Sequence, residues 1–175
     1  MSMLATHPRD PWSDPRLPAL LLGLACVAVL GNALFFQFVL DIRPCVLCIW
    51  QRWPFGIVLA LSLAGLSPLA RRRAVRTALL ALSGVVLFAG AAIAVFHVGV
   101  EQHWWTGTPG CGVPAPAHTL EELRAQVMAA PVVRCDEAAW RLFGLSLAGY
   151  NAILSPMLAA FALLAAARSS RGTSP

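Results

Sequence analysis

Four long apolar runs separated by short charged or polar segments organise this chain, at residues 17–40, 53–70, 78–100 and 146–167. Each is close to the roughly 20 residues that an α-helix needs to cross a bilayer core. Water is absent there, so a helix, which pairs its own backbone N–H and C=O groups, is the conformation each run can adopt. The pattern predicts an all-α membrane protein. Its architecture is a four-helix transmembrane bundle in one unit over residues 1–175, with outer loops at 41–48 and 101–143.

The two loops differ in kind. Asp41 to Pro44 is a tight turn that holds Cys45-Val46-Leu47-Cys48 against the membrane, with Cys48 at or near a helix N-terminus. The long loop passes Trp104 and Trp105 and then Gly107, Pro109, Gly110, Gly112, Pro114 and Pro116, a stretch expected to be irregular and mobile. Further on, Thr119 and Glu122 have capping-box spacing, and Leu120, Leu123, Val127 and Met128 share a helical face before Pro131. A short amphipathic helix on the membrane surface is predicted, with simple packing against the protein as the alternative.

Composition supports the membrane reading: 58% of the chain is hydrophobic and 12% charged, against about 25% charged in soluble domains. The net charge of +5 does not mark a nucleic-acid surface, because the arginines sit at the ends of apolar runs rather than in a patch with aromatics. They act as topology signals. Eight arginines and two acids flank one side of the spans, five arginines and six acids the other, so the first side is expected to be cytoplasmic, with both termini. The first run is too long for a signal-peptide core and is read as a span. All four loop cysteines then face a compartment where disulfides persist. A monomer surrounded by lipid is expected.

C-x-x-C serves redox relays, metal sites and structural bridges alike. Here a helix N-terminus and a cation favour the reactive thiolate. Arg52 lies four residues beyond Cys48, one turn deeper on the same face. An arginine within a span is costly, so either it has a compensating role or it snorkels to the headgroups. Cys111 and Cys135 form a second pair that either closes the loop as a structural bridge or exchanges with the first. Cys26, in the middle of the first run, is read as a small core hydrophobe.

Taken together, CVLC followed by Ile49-Trp50-Gln51-Arg52, four spans, paired loop cysteines, and Cys135-Asp136-Glu137-Ala138-Ala139-Trp140 leading to Gly144-Leu145-Ser146 resemble the disulfide bond formation protein B (DsbB) family, from the first helix through Asn151. The resemblance implies an inner-membrane thiol oxidoreductase of bacteria that reoxidises a DsbA-like thioredoxin-fold protein of the periplasm. Electrons would pass from Cys111 and Cys135, through Cys45 and Cys48, to a membrane quinone, either ubiquinone or menaquinone. In that scheme the partner attacks Cys111, Cys135 attacks Cys45, and Cys48 is left as the thiolate beside the quinone, stabilised by Arg52. His97 matches a family position that binds or protonates the quinone, or is merely packed. Gln37 faces the same pocket, or makes an interhelical hydrogen bond.

The rival class is a metal-binding or metal-transporting protein with Cys45, Cys48, His97 and Cys111 as soft ligands. Against it, none of the eight acids falls within a predicted span; no metal site is expected. A third class is a structural protein whose two disulfides only tie down its outer face. The vitamin K epoxide reductase family also combines membrane helices with C-x-x-C, but its cysteine order differs from that of this chain.

Overall fold

The computed structural model describes residues 14–108, 111, 118–128 and 133–171. The expected irregular stretch through Pro109, Gly110, Gly112, Pro114 and Pro116, the helix stop at Pro131 and the flanking charges Arg9 and Asp10 lie outside them.

Helix α1 spans Leu17–Phe38, with proline in its first turn where a missing N–H costs nothing. The second span is Val46–Leu66, divided at Gln51 into α2 (Val46–Trp50) and α3 (Arg52–Leu66). Pro54 accounts for the division, since it has no N–H to donate to the carbonyl four residues back. A short 3-10 turn at Pro68–Arg71 leads into α4, Arg73–Glu101. After the long outer segment, which carries α5 (Leu120–Met128), the last described element is α6, Leu147–Arg171.

Two boundaries that bear on the site move from the sequence reading. The second helix starts at Val46, seven residues before the expected 53, so Cys48 is inside its first turn, in keeping with its expected place at or near a helix N-terminus, and the outer loop ends at Cys45 rather than Cys48. Cys45 is the N-cap of that helix, with its sulfur accepting from the Cys48 N–H at 3.2 Å. The third helix runs on through Glu101, so an acid assigned to the loop is buried in the last turn of a span. The statement that no acid lies within a span is therefore corrected; its one-residue overrun was invisible because Glu101 directly follows the apolar run. A two-stranded antiparallel ribbon, β1 (Arg141–Leu142) and β2 (Leu145–Ser146), also interrupts what reads as loop. Phe143 and Gly144 turn it, both with positive φ (49° and 80°), which suits the twist of a two-residue hairpin.

Successive spans alternate in direction. Arg73 at the start of α4 donates to the Ser169 carbonyl near the end of α6 at 2.5 Å, and Arg52 at the start of α3 reaches Gln37 at the end of α1. Helix α4 packs extensively on α6 and α3, whereas α1 rests on α3 and barely touches α6. Close approach depends on small residues. At Gly90, a Cβ would stand 2.9 Å from that of Pro54, so only glycine lets α4 lie this near α3. Leu22, Cys26, Phe55, Val58, Leu87 and Ala162 form the inner core. Leu24, Phe38, Trp53, Val85, Phe88 and Leu164 point outward and are exposed. A helix set that is apolar on its outside as well is solvated by lipid.

In α5 the capping box is formed: Thr119 Oγ1 accepts from the Glu122 N–H at 3.1 Å, and Glu122 Oε2 accepts from the Thr119 N–H at 3.2 Å. Leu120, Leu123 and Met128 are exposed, so packing of these side chains against the protein is not what they do.

Candidate functional site

The site lies where the start of α2–α3, the ends of α1 and α4, and the start of α6 converge. Capping by Cys45 fixes the first turn of α2 and brings its sulfur to 2.7 Å from that of Cys48, within reach of closing a disulfide. Cys111 and Cys135, 24 residues apart, are joined as a disulfide, and the Cys135 N–H donates to the Cys111 carbonyl at 3.2 Å. Both sulfurs are fully buried. They form one cluster with Cys45, Leu47 and Val100, so the bridge packs onto the C-x-x-C turn. Exchange with an external thiolate requires access to one sulfur, and both are covered in this arrangement.

Beneath this cluster is a cavity of about 200 Å³, mostly apolar, bounded by Val29, Leu30 and Phe36 of α1, Cys45, Cys48, Arg52 and Phe55 of the second span, His97 and Glu101 of α4, Trp140, and Asn151 and Leu154 of α6. Two of its walls, α1 and α6, are those that barely touch. The cavity therefore lies between two spans that pack on each other only lightly. Phe36 and Trp140, edge to face at 4.9 Å, meet on its lining.

Arg52 lines the cavity with Cys48, and its Nη1 donates to Gln37 Oε1 at 2.6 Å. Gln37 is not among the described residues of the lining; it anchors the guanidinium from α1. His97 is almost wholly buried, 3% exposed, and lines the same cavity: Nε2 is 3.6 Å from Cys45 Sγ and 3.8 Å from Glu101 Oε1. Its Nδ1 is 2.7 Å from Gln51 Nε2. Gln51 Oε1 in turn accepts from Asn151 at 2.6 Å, and Asn151 Oδ1 accepts from Ser155 at 2.7 Å. Glu101 Oε2 accepts from Ser146 Oγ at 2.5 Å, and that hydroxyl accepts from the Gly149 N–H at 3.0 Å.

Gln51, Glu101, Ser146, Asn151 and Ser155 were not singled out as site residues from sequence. The signal was present for three of them, since Gln51, Glu101 and Asn151 are strongly polar residues within or bordering apolar spans, where such groups are costly unless partnered. On the loop side, Asp136 takes a two-pronged contact from Arg134, at 2.9 Å from Nε to Oδ1 and 2.5 Å from Nη2 to Oδ2. That hydrogen-bonded guanidinium holds the Asp136 carboxyl below the usual carboxylate range, and the clamp fixes the backbone beside Cys135.

For the metal alternative, donor atoms of Cys45, Cys48 and His97 all lie within 4.8 Å of one another. Cys111, the fourth member of that set, is committed to its disulfide and has no thiolate to offer.

The sequence was compared with known proteins. A family model described as disulfide bond formation protein DsbB matches residues 15–165. Similar curated relatives include disulfide bond formation protein B 1 of Pseudomonas fluorescens, 30% identical over 145 residues that cover 83% of this chain and 79% of the relative. Disulfide bond formation protein B of Xanthomonas axonopodis pv. citri is 31% identical, covering 83% and 87% respectively. That of Aromatoleum aromaticum is 29% identical, covering 88% and 95%.

Proposed function

This chain belongs to the disulfide bond formation protein DsbB family, and from that membership together with the site geometry we propose that it oxidises a periplasmic DsbA-like dithiol protein and delivers the electrons to a membrane quinone. The observation that carries the reading is the stacking of the two cysteine pairs. The loop disulfide packs directly on Cys45, and Cys48 lies on the wall of an apolar cavity between two lightly packed spans.

Exchange proceeds sulfur by sulfur. Once the cover opens, a thiolate of the reduced partner attacks Cys111, breaking its bond to Cys135 and forming a mixed disulfide. The partner's second thiolate displaces Cys111, so the partner leaves oxidised and two electrons stay on the loop pair. Cys135 then attacks Cys45 in the oxidised inner pair; the Cys135–Cys45 bond forms and Cys48 departs as a thiolate. Finally Cys111 attacks Cys135, restoring the loop bridge and expelling Cys45. The result is a bonded loop pair and two free inner cysteines, the covalent pattern observed here.

The cavity fits a quinone head: an apolar cavity of roughly 150 Å³ accepts benzene, and this one, of about 200 Å³, adds a cation and a thiol to its lining. A bound quinone supplies the two-electron, two-proton acceptor. Cys48 presents the sulfur, Arg52 places positive charge where negative charge gathers in a low-dielectric site, and Phe36 with Trp140 adds apolar wall. The arginine distribution orients both termini to the cytoplasm and the cysteines to the periplasm of the inner membrane.

The test is turnover in lipid nanodiscs with a reduced thioredoxin-fold dithiol protein and a benzoquinone or naphthoquinone. Partner-dependent bleaching that disappears on changing Cys45 or Cys48 to serine is expected; absence of bleaching in the intact protein overturns the reading. The convergence of two thiols and an imidazole favours a metal-binding reading second. Stoichiometric, tight zinc uptake without any quinone turnover would select it.

A further inference from the structure

The polar groups behind His97 are ordered in a single direction. Ser155 donates to Asn151 Oδ1, Asn151 Nδ2 donates to Gln51 Oε1, and this leaves the Gln51 amide nitrogen facing His97 Nδ1 at 2.7 Å. An amide N–H only donates, so Nδ1 must accept. The surroundings of the other ring nitrogen are compatible with the same polarity. Nε2 faces the Cys45 sulfur at 3.6 Å and the Glu101 carboxylate at 3.8 Å, and a carboxylate can only accept. The ring proton therefore belongs on Nε2. Gln51, His97 and Ser155 are all at least nine-tenths buried, where reversing any one member leaves an amide or hydroxyl without its partner.

We propose that Ser155, Asn151 and Gln51 form a polarised relay that fixes His97 as an Nε2–H donor aimed at Cys45, making Gln51 and Asn151 positioning residues for the departure of the Cys45 thiolate. The inference rests on the exchange sequence proposed above. In its last step the Cys111–Cys135 bond forms, the Cys135–Cys45 bond breaks, and the electron pair goes to Cys45. A donor already pointing at that sulfur stabilises the leaving thiolate without reorganisation. His97 thereby serves Cys45, while Arg52 serves Cys48 in the same cavity. The titratable groups facing the ring are Cys45, Cys48 and Glu101.

The relay makes a prediction at a distance. Asn151→Asp never touches His97, yet an aspartate cannot donate to Gln51 Oε1. The Gln51 amide must turn to donate to the carboxylate, presenting its oxygen to Nδ1 and drawing the ring proton there. Long-range proton–nitrogen NMR of histidine-labelled full-length protein in nanodiscs, with the inner pair reduced and His97→Gln identifying the resonance, reads the tautomer directly. The parent is expected to show Nε2–H, and both Asn151→Asp and Gln51→Glu a protonated Nδ1. In parallel, re-formation of the Cys111–Cys135 bridge from a trapped Cys45–Cys135 disulfide should slow about tenfold in Asn151→Asp, the worth of one hydrogen bond to a charged group. An Nδ1–H tautomer in the parent overturns the proposal even if the variants do not fold, as does a folded Asn151→Asp with the parent tautomer or with an unchanged re-formation rate. The tautomer measurement uses no partner or quinone, so a failure of the electron-transfer reading shows separately, as absent quinone bleaching with the parent tautomer intact.

Discussion

Replacing Arg52 by methionine keeps most of the apolar stem and removes the cation from the cavity wall. In the structure the guanidinium is held at 2.6 Å by Gln37 and shares the cavity with Cys48. A hydrogen bond to a charged group contributes about 1.5–3 kcal/mol. If the cation stabilises charge that develops during electron transfer by a similar amount, turnover falls roughly 10- to 150-fold, at about 1.4 kcal/mol per decade. Arg52→Lys retains the charge but not the planar fork that meets Gln37, so it should fall between methionine and the parent. Gln37→Leu leaves the guanidinium in place without its anchor and should cost less than Arg52→Met. The assay is partner-dependent quinone bleaching in nanodiscs, with circular dichroism confirming native helicity. Turnover of folded Arg52→Met within a factor of about three of the parent refutes the electrostatic argument.

Other perturbations follow from the same geometry. Cys48→Ser should abolish turnover, whereas Cys26→Ala, which alters only a buried core position among Leu22, Phe55 and Val58, should keep it; the same bleaching assay decides both. Because Arg134 depresses the Asp136 pKa, the clamp beside Cys135 is fully present above the unfolded value of about 3.9 and is lost as pH falls through the lower folded value. Reduction of the Cys111–Cys135 bridge by a water-soluble phosphine should accordingly quicken only below the ordinary carboxylate range, and Asp136→Asn should be fast at neutral pH too. Gly90→Ala drives a Cβ to 2.9 Å from the rigid ring of Pro54. Overpacking of this kind costs about 1–3 kcal/mol, which should appear as a lower thermal-unfolding midpoint in detergent, along with slower turnover as Gln51 and Arg52 shift with their helix.

Much of the architecture is legible from the chain alone because the information is local. An apolar run of the right length has one backbone solution in lipid, and a threonine and a glutamate three apart cap α5 wherever that helix lies. Cysteine pairing is equally local: the spacing of Cys45 and Cys48 marks a C-x-x-C pair, and Cys111 and Cys135 stand out as the second pair in the long outer loop. Boundaries were less legible. Nothing in the hydrophobic pattern stops α4 before Glu101 or delays the second helix past Val46, since capping by Cys45 and burial against the loop disulfide decide those ends.

The arrangement of the polar groups came only from the fold. Gln51, His97 and Asn151 are far apart in sequence and sit on three different helices; they meet because glycines such as Gly90 set how closely those helices approach and in what register. Likewise, the burial of the loop disulfide and the light contact between α1 and α6 are properties of packing, which no single segment encodes. Sequence alone determined that this is a four-span membrane dithiol protein, because length, hydropathy and residue type act within one helix or one turn. That both inner cysteines share one cavity wall with His97 and Arg52 was decided by tertiary structure, because a hydrogen bond or a cavity wall requires side chains from separate helices to reach one place.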